Sequence, residues 1–191
     1  MKFIFVGLGN PGEEYESIRH NTGRLLLEWF GKTHKAEWKE DKKLNAQMAK
    51  VKIGKSEVVL LLPNTFMNNS GKSIPKGNSF GKMVVIYDDL DLPFGKAKIS
   101  FNKSSGGHKG LESIIKTIKT EKFARVRVGI SPTTATGKIR KPQGEEAVTK
   151  VILGKFKPEE LASLKKLSKK VSEALETYVI SGLEKAMTGF N

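Results

Sequence analysis

The chain has 191 residues and no cysteine, and its 34 lysines and arginines outnumber 20 acidic residues to give a formal net charge of +14. This length suits one well-buried core, so we expect a single domain over residues 1–191, and no apolar run is long enough to span a membrane. The absence of cysteine excludes a disulfide scaffold, a thiolate nucleophile and thiolate metal ligands, and it suits a cytoplasmic location.

The positive charge is concentrated in the middle-to-late part of the chain. Residues 1–95 hold 14 basic and 11 acidic residues, residues 96–170 hold 19 and 6, and residues 171–191 hold 1 and 3. A solvated lysine-rich face is the ordinary explanation of such an excess. Its uneven placement, close to glycine-rich and aromatic segments, favours a polyanionic partner, and nucleic acid in particular.

The first predicted element is a strand over residues 3–6, whose apolar side chains are typical of a strand buried on both faces. Glycines and a proline over residues 7–12 then require a sharp turn. The glycine spacing matches the dinucleotide-binding fingerprint, which needs a helix that begins at this turn. Because Pro11 lacks an amide and the helical pattern begins near residue 22, a dinucleotide site is disfavoured.

The remaining elements alternate between strands and helices. Strands are predicted at residues 46–53, 58–62, 83–87, 96–101 and 126–130, helices at 111–118, 145–153 and 158–179, a short helix after 64, and loops at 102–110 and 131–144. This alternation predicts an α/β fold: a single-domain, three-layer arrangement with a twisted, mostly parallel (mixed) central sheet flanked by helices.

Polar side chains follow three of the predicted strands. Asn10 follows the first strand, Asn68 the run at residues 58–62, and Asp88 the run at residues 83–87. The functional site of a parallel sheet lies outside the carboxyl ends of its strands, where these side chains would meet. The two carboxamides could be turn residues only, or they could hold a peptide backbone or an oxyanion.

His20 lies between the first turn and an amphipathic helix that Asn21 or Thr22 could cap. A lone histidine here would more often be a cap or fill a polar gap. A neutral imidazole, however, accepts a proton from water near physiological pH when another group fixes its tautomer, and Asp88 is the candidate for that group. A His–Asp pair without a serine elbow or a cysteine points to water as the nucleophile. With only three histidines in the chain, no metal site is expected.

Several longer motifs resemble the bacterial-type peptidyl-tRNA hydrolases over nearly the whole chain. The matching segments are Gly7-Leu-Gly-Asn-Pro-Gly, Tyr15, Arg19-His-Asn-Thr-Gly23, Pro63 to Gly71, Asp88-x-Leu-Asp-Leu-Pro93, Gly106-Gly-His-x-Gly-Leu and Ala186-Met-x-x-Phe-Asn191. The resemblance implies a monomeric α/β enzyme that hydrolyses, without metal or cofactor, the ester between a peptide and the 3′-terminal ribose of tRNA.

The resemblance also implies roles for individual residues. His20 would be the general base on water and Asp88 its orienting partner, while Asn10 and Asn68 would position the peptide and the water. Two aromatic residues would line the substrate cleft: Tyr15 and Phe66.

The partner implied for the cationic surface is the acceptor arm of tRNA. Arg127 matches a position that contacts tRNA phosphates in the family. Ser100 stands where a second phosphate-binding lysine is usual, and either Lys98 or Lys103 could supply the missing contact. Phosphate contacts give affinity without sequence information, which suits an enzyme that accepts many tRNAs.

A second departure lies in the Gly-Gly-His segment, where His108 matches the family's histidine but Lys109 replaces a common asparagine. Lys109 could stabilise an oxyanion by charge or contact a tRNA phosphate, and the sequence does not decide. A non-catalytic RNA-binding module on the same fold is the alternative function.

Overall fold

The computed structural model describes residues 2–77 and 82–191. Its strands are β1 (Lys2–Gly7), β2 (Lys39–Asp41), β3 (Ala46–Ile53), β4 (Ser56–Pro63), β5 (Met83–Pro93), β6 (Ala97–Phe101) and β7 (Ala124–Ser131). Its α-helices are α1 (Thr22–Thr33), α2 (Lys109–Ile118), α3 (Glu145–Ile152), α4 (Pro158–Ser181) and α5 (Leu183–Phe190). In the described ranges, every helix is too short or too polar to cross a membrane.

The described strands form one mixed sheet in the order β2-β3-β4-β1-β5-β7-β6. The central strands β4, β1, β5 and β7 are parallel, while β3, β2 and β6 pair antiparallel at the two edges. One face packs against α1, α4 and α5, and the other against α2 and the 3₁₀ helix Met67–Ser73. The predicted α/β fold with a mostly parallel central sheet is confirmed.

The strand predicted over residues 83–87 is longer than expected, because β5 continues to Pro93. Asp88 and Asp89 pair in parallel register with Val128 and Gly129 of β7, and the register shifts after Asp89. Acidic residues are depleted in strands, so the acidic run concealed this extension. Asp88 therefore projects from a strand that is fixed by its neighbour, rather than from a loop. Strand β2 and helix α5 were not predicted.

Helix α1 packs unusually close to the sheet, next to His20. A Cβ atom at Gly23 would lie 2.0 Å from the Ile86 carbonyl oxygen, and one at Gly7 would lie 2.6 Å from the Gly23 carbonyl oxygen. Any side chain at either position would push the helix outward. These glycines thus serve helix–strand packing, and they set the depth at which the turn before α1 enters the site.

The edge strand β6 is covered by the side chain of Asn191. Its Oδ1 accepts a hydrogen bond from the Ile99 backbone N–H at 2.7 Å, and its Nδ2 donates to the Ile99 carbonyl at 2.9 Å. A single carboxamide therefore occupies both hydrogen-bonding groups of a residue at the edge of the sheet.

Candidate active site

The centre of the site is a buried carboxylate bound by two imidazoles. Asp88 of β5 is 3% exposed, and His20 Nδ1 lies 2.9 and 3.0 Å from its two oxygens. His108 Nε2 lies 3.0 Å from Asp88 Oδ1, and the two imidazole centroids are 4.9 Å apart. The predicted contact between His20 and Asp88 is confirmed. The second imidazole contact was not predicted, because the sequence places His108 in a loop and does not show which way that loop folds.

The tautomer of His108 is fixed by the first turn of α2. His108 is the N-cap residue, and its Nδ1 accepts hydrogen bonds from the backbone amides of Gly110 and Leu111 at 3.2 and 3.3 Å. A nitrogen that accepts here carries no proton, so Nε2 carries it and donates to Asp88. The ring of Tyr87 meets the His108 ring edge-on at 5.0 Å.

The charges of the site hold Asp88 ionised. Burial alone would raise the pKa of Asp88, but the electrostatic attraction of the His20 and His108 imidazoles and the hydrogen bonds that they donate hold it well below its usual range. Burial lowers the pKa of His20, but the attraction of the Asp88 carboxylate and the hydrogen bond to it together outweigh burial, so the pKa is raised above its ordinary value. Because an ionised carboxylate only accepts, His20 Nδ1 donates, which leaves the Nε2 lone pair to act as a base.

The same three side chains are close enough to form a metal site. Their nearest nitrogen and oxygen atoms, from His20, Asp88 and His108, all lie within 4.8 Å of one another. A metal at His108 Nε2 would require the proton to move to Nδ1, which faces two amide N–H donors. The amides of α2 therefore disfavour a metal and favour the hydrogen-bonded arrangement.

Asn10 is held rigidly by Asn21, the residue that follows His20, and it does not line the cleft over the imidazoles. The Asn21 side chain accepts from the Asn10 backbone N–H and donates to the Asn10 carbonyl, both at 2.8 Å. Asn10 Oδ1 accepts from the Met67 backbone N–H at 2.8 Å. Asn21 is the N-cap residue of α1, as predicted, but its side chain makes no capping hydrogen bond because it binds Asn10, and Thr22 Oγ1 donates to the Arg19 carbonyl at 2.7 Å.

Of the other residues predicted to contact the peptide, Tyr15 lies on the 3₁₀ turn Glu13–Tyr15, and Phe66 and Asn68 lie at the start of the 3₁₀ helix Met67–Ser73. Phe66 precedes this helix and is 60% exposed, and its ring meets the Tyr15 ring edge-on at 6.4 Å. Asn68 is exposed, and its Oδ1 accepts from the Asn69 amide at 3.3 Å. The contact between Asn10 and the Met67 amide joins this helix to the end of β1.

A cleft of about 570 Å³ opens over the imidazoles. Its walls come from the end of β5, the loop before α2, and α3 with the segment before it. Besides Asp88, its charged wall residues are Asp89, Asp91, Lys103, Lys109, Arg127, Lys141 and Glu145, and α3 also contributes Val148, Thr149 and Ile152. The cleft therefore joins the buried Asp88 centre to a rim with several cationic side chains.

The cationic residues of the rim differ in their surroundings. Arg127 Nε donates to Asp89 Oδ2 at 2.7 Å, while the exposed Lys109 bonds Glu112 at 3.3 Å. Lys103 of the rim is exposed, and Lys98, which is also exposed and lies directly opposite Arg127 in the β6–β7 ladder, does not itself line this cleft.

The position that departs from the family's lysine, Ser100, is buried. It faces Arg125 across the β6–β7 ladder, and the fully buried Arg125 guanidinium packs 4.4 Å from the centre of the Phe123 ring. Neither side chain is accessible to a large polyanion in this arrangement.

Both the sequence and the fold of this chain are similar to those of known peptidyl-tRNA hydrolases. The family model for peptidyl-tRNA hydrolase matches residues 4–191. The peptidyl-tRNA hydrolase of Herpetosiphon aurantiacus is 39% identical over 195 residues, covering 99% of this chain and 90% of that protein. That of Aquifex aeolicus is 39% identical over 189 residues, covering 96% and 93%. The crystal structure of peptidyl-tRNA hydrolase from Acinetobacter baumannii superposes with a TM-score of 0.87 at 29% identity, covering 99% and 94%.

Proposed function

Since the chain belongs to the peptidyl-tRNA hydrolase family, we propose that it hydrolyses the ester between a peptide and the 3′-terminal ribose of tRNA with His20 as the general base. The observation that carries the mechanism is the hydrogen bond from His20 Nδ1 to the ionised Asp88, which leaves Nε2 free to accept a proton. The substrate class follows from the family, and the roles of individual residues are our proposal.

In the proposed reaction, His20 Nε2 removes a proton from water as the water oxygen bonds to the ester carbonyl carbon. The tetrahedral intermediate then collapses, the bond to the ribose oxygen breaks, and that oxygen takes the proton from His20. Asp88 holds the imidazole in the required tautomer and stabilises the transient imidazolium. His108 donates to the same carboxylate and so orients it.

We assign the peptide to the side of the site that carries Asn10 and Asn68. Asn10 Oδ1 is occupied by the Met67 amide, which directs the amide nitrogen of the same side chain to other acceptors. Peptide carbonyls and the attacking water are suitable acceptors for it and for the exposed Asn68. The aromatic pair Tyr15 and Phe66 supplies an apolar contact next to them.

We assign the acceptor arm of tRNA to the cationic rim, with Lys98, Lys103 and Arg127 at the phosphates. Their position on β6, β7 and the connected loop places positive charge beside the cleft that holds His20. Lys109 is 70% exposed along its side chain, and solvent would screen its effect on a buried oxyanion. A phosphate contact is therefore the better role for Lys109.

The proposal also includes a monomer with one domain over residues 1–191, acting in the cytoplasm. One sheet with helices on both faces joins the amino-terminal His20 segment to the carboxyl-terminal helices, which supports a single domain.

The test is release of labelled N-acetyl-amino acid from N-acetyl-aminoacyl-tRNA in the presence of a metal chelator. We expect release by the wild-type protein, and a turnover roughly 10²–10⁴-fold lower for His20→Ala with nearly unchanged KM. His34→Ala is the matched control, because His34 pairs with Glu176 at 3.1 Å outside the cleft. Equal turnover in wild type and His20→Ala would contradict the mechanism. Binding of tRNA without release would instead indicate a non-catalytic RNA-binding module.

A further inference from the structure

Arg19, the residue before His20, makes an ion pair that the catalytic scheme does not use. Its Nη2 lies 2.8 and 2.9 Å from the two carboxylate oxygens of Glu160 in the first turn of α4. Both side chains are mostly buried, with 17% and 21% exposure. The Arg19 guanidinium also packs 4.9 Å from the centre of the Phe156 ring. The two side chains of a mostly buried, bidentate pair of this kind have less conformational freedom than those of an exposed surface pair.

Backbone hydrogen bonds join the same two segments. Ile18 and Lys155 form an antiparallel bridge, the Arg19 N–H donates to the Gly154 carbonyl at 3.0 Å, and the Phe156 N–H donates to the Ser17 carbonyl at 2.8 Å. The residues just before His20 are therefore paired, main chain to main chain, with the connection between α3 and α4.

The ion pair reinforces this pairing from the α4 side. Glu160 Oε2 also accepts from the Lys157 backbone N–H at 2.8 Å, which completes a capping interaction at the start of α4. Burial raises the pKa of Glu160, but the Lys157 amide and the Arg19 guanidinium together lower it below its ordinary value. Glu160 is therefore ionised and fixed, and it gives Arg19 an anchor that does not depend on substrate.

The fixed end of this network is the 3₁₀ turn that carries His20. The Arg19 carbonyl accepts from Thr22 Oγ1, and the Ile18 carbonyl accepts from the Asn21 N–H at 3.0 Å. A shift of Arg19 would therefore move the turn and, with it, the imidazole relative to Asp88. At its other end the network reaches α3 through the α3–α4 connection, and Val148 and Thr149 of α3 line the cleft.

We propose that Arg19 is a positioning residue, which through Glu160 and the α3–α4 connection holds the His20 imidazole in its productive place without contacting substrate. The inference rests on the proposed function of His20. It predicts that the ion pair affects turnover more than substrate affinity, because neither Arg19 nor Glu160 lines the cleft and Arg19 directly precedes His20.

The test compares Arg19→Ala, Arg19→Lys, Glu160→Gln and the double variant Arg19→Ala/Glu160→Gln by kcat, KM and the pH dependence of turnover. Misplacement of a catalytic group by about 1 Å can lower turnover roughly 100-fold, so we expect kcat to fall about 10- to 100-fold in Arg19→Ala with KM within about twofold. The acidic side of the pH–rate profile should move to lower pH, because a looser contact with Asp88 raises the pKa of His20 by less than in the wild type. Arg19→Lys should restore part of kcat, and the double variant should be no slower than Arg19→Ala.

Ile53→Val is the control for simple loss of stability, since it removes one methylene from the buried core on β3, far from the cleft. It should lower Tm and leave kcat unchanged at temperatures where the protein is folded. If Arg19→Ala does not fold, Glu160→Gln and Arg19→Lys carry the test. A kcat of Arg19→Ala within twofold of wild type, or a loss of turnover that appears only at temperatures near Tm, would overturn the positioning role. An inactive wild-type protein would instead count against the proposed function itself.

Discussion

Substitution of Asp88 by asparagine tests the central hydrogen bond with almost no change in volume. The carboxylate oxygens lie 2.9 and 3.0 Å from His20 Nδ1, and one of them is also 3.0 Å from His108 Nε2. His108 Nε2 donates to Asp88 Oδ1, so we expect the carbonyl oxygen of the new carboxamide at that position and its NH₂ group at the Oδ2 position, 2.9 Å from His20 Nδ1. A donor there favours an Nδ1 that accepts, which places the imidazole proton on Nε2 and removes the lone pair that would accept a proton from water.

The magnitude follows from the loss of general base catalysis. We expect kcat of Asp88→Asn to fall roughly 10²–10⁴-fold, which corresponds to about 3–5 kcal/mol of transition-state stabilisation. The substitution also removes the negative charge that raises the pKa of His20, while burial, which lowers it, remains. In the wild type the acid limb of turnover should therefore lie above about pH 6.5, the ordinary histidine value. In Asp88→Asn any residual activity should persist to lower pH.

The assay is the initial rate of N-acetyl-amino acid release between pH 5 and 9, at saturating and limiting N-acetyl-aminoacyl-tRNA. Asp41→Asn is the matched control, because it removes the same charge from strand β2, where Oδ1 accepts from the Leu44 amide at 2.9 Å. A turnover within threefold of wild type, with an unchanged acid limb, would refute the reasoning.

Three further predictions concern binding, packing and stability. Arg127→Ala should weaken tRNA binding and reduce the slope of log K against log salt by about 0.7–0.9 per phosphate contact, measured by filter binding. Lys50→Ala, at an exposed lysine of β3 towards the other edge of the sheet, should not. Gly23→Ala should lower the free energy of unfolding by about 1–3 kcal/mol in urea titrations, because its Cβ would lie 2.0 Å from a carbonyl oxygen; a neutral result would contradict the close packing. The attraction between His20 and Asp88 raises the pKa of His20 and lowers that of Asp88, so it should stabilise the folded protein most between about pH 4 and 6.5. The difference in unfolding free energy between wild type and Asp88→Asn should therefore shrink as the pH rises above the pKa of His20. A difference that does not depend on pH would contradict this.

The local sequence pattern was sufficient to predict those elements whose structure depends on neighbouring residues in the chain. The apolar run of β1, the glycine turn and His20 lie within about 20 residues, so the strand-to-helix connection was predicted from the local order of residues. Parallel alternation of strands and helices then brought Asp88 to the same edge of the sheet. Both the fold class and the central contact follow from such rules.

Longer-range features were missed because no local signal encodes them. The Arg19–Glu160 pair joins residues 141 positions apart, and the Asn21 contact with Asn10 competes with the capping role that the sequence favours. The second imidazole on Asp88 had a partial signal, since His108 precedes a helical pattern and suits an N-cap. Its donor nitrogen could be assigned only after the α2 amides were placed.

The covering of β6 by Asn191 has a consequence for self-association. An outer strand with free backbone groups is a template on which a second molecule can add a strand, the first step toward ordered aggregates. Here the Ile99 amide and carbonyl are both occupied by one side chain of the same molecule. The Asn191 carboxamide thus removes the Ile99 position from intermolecular β-pairing without lengthening the sheet.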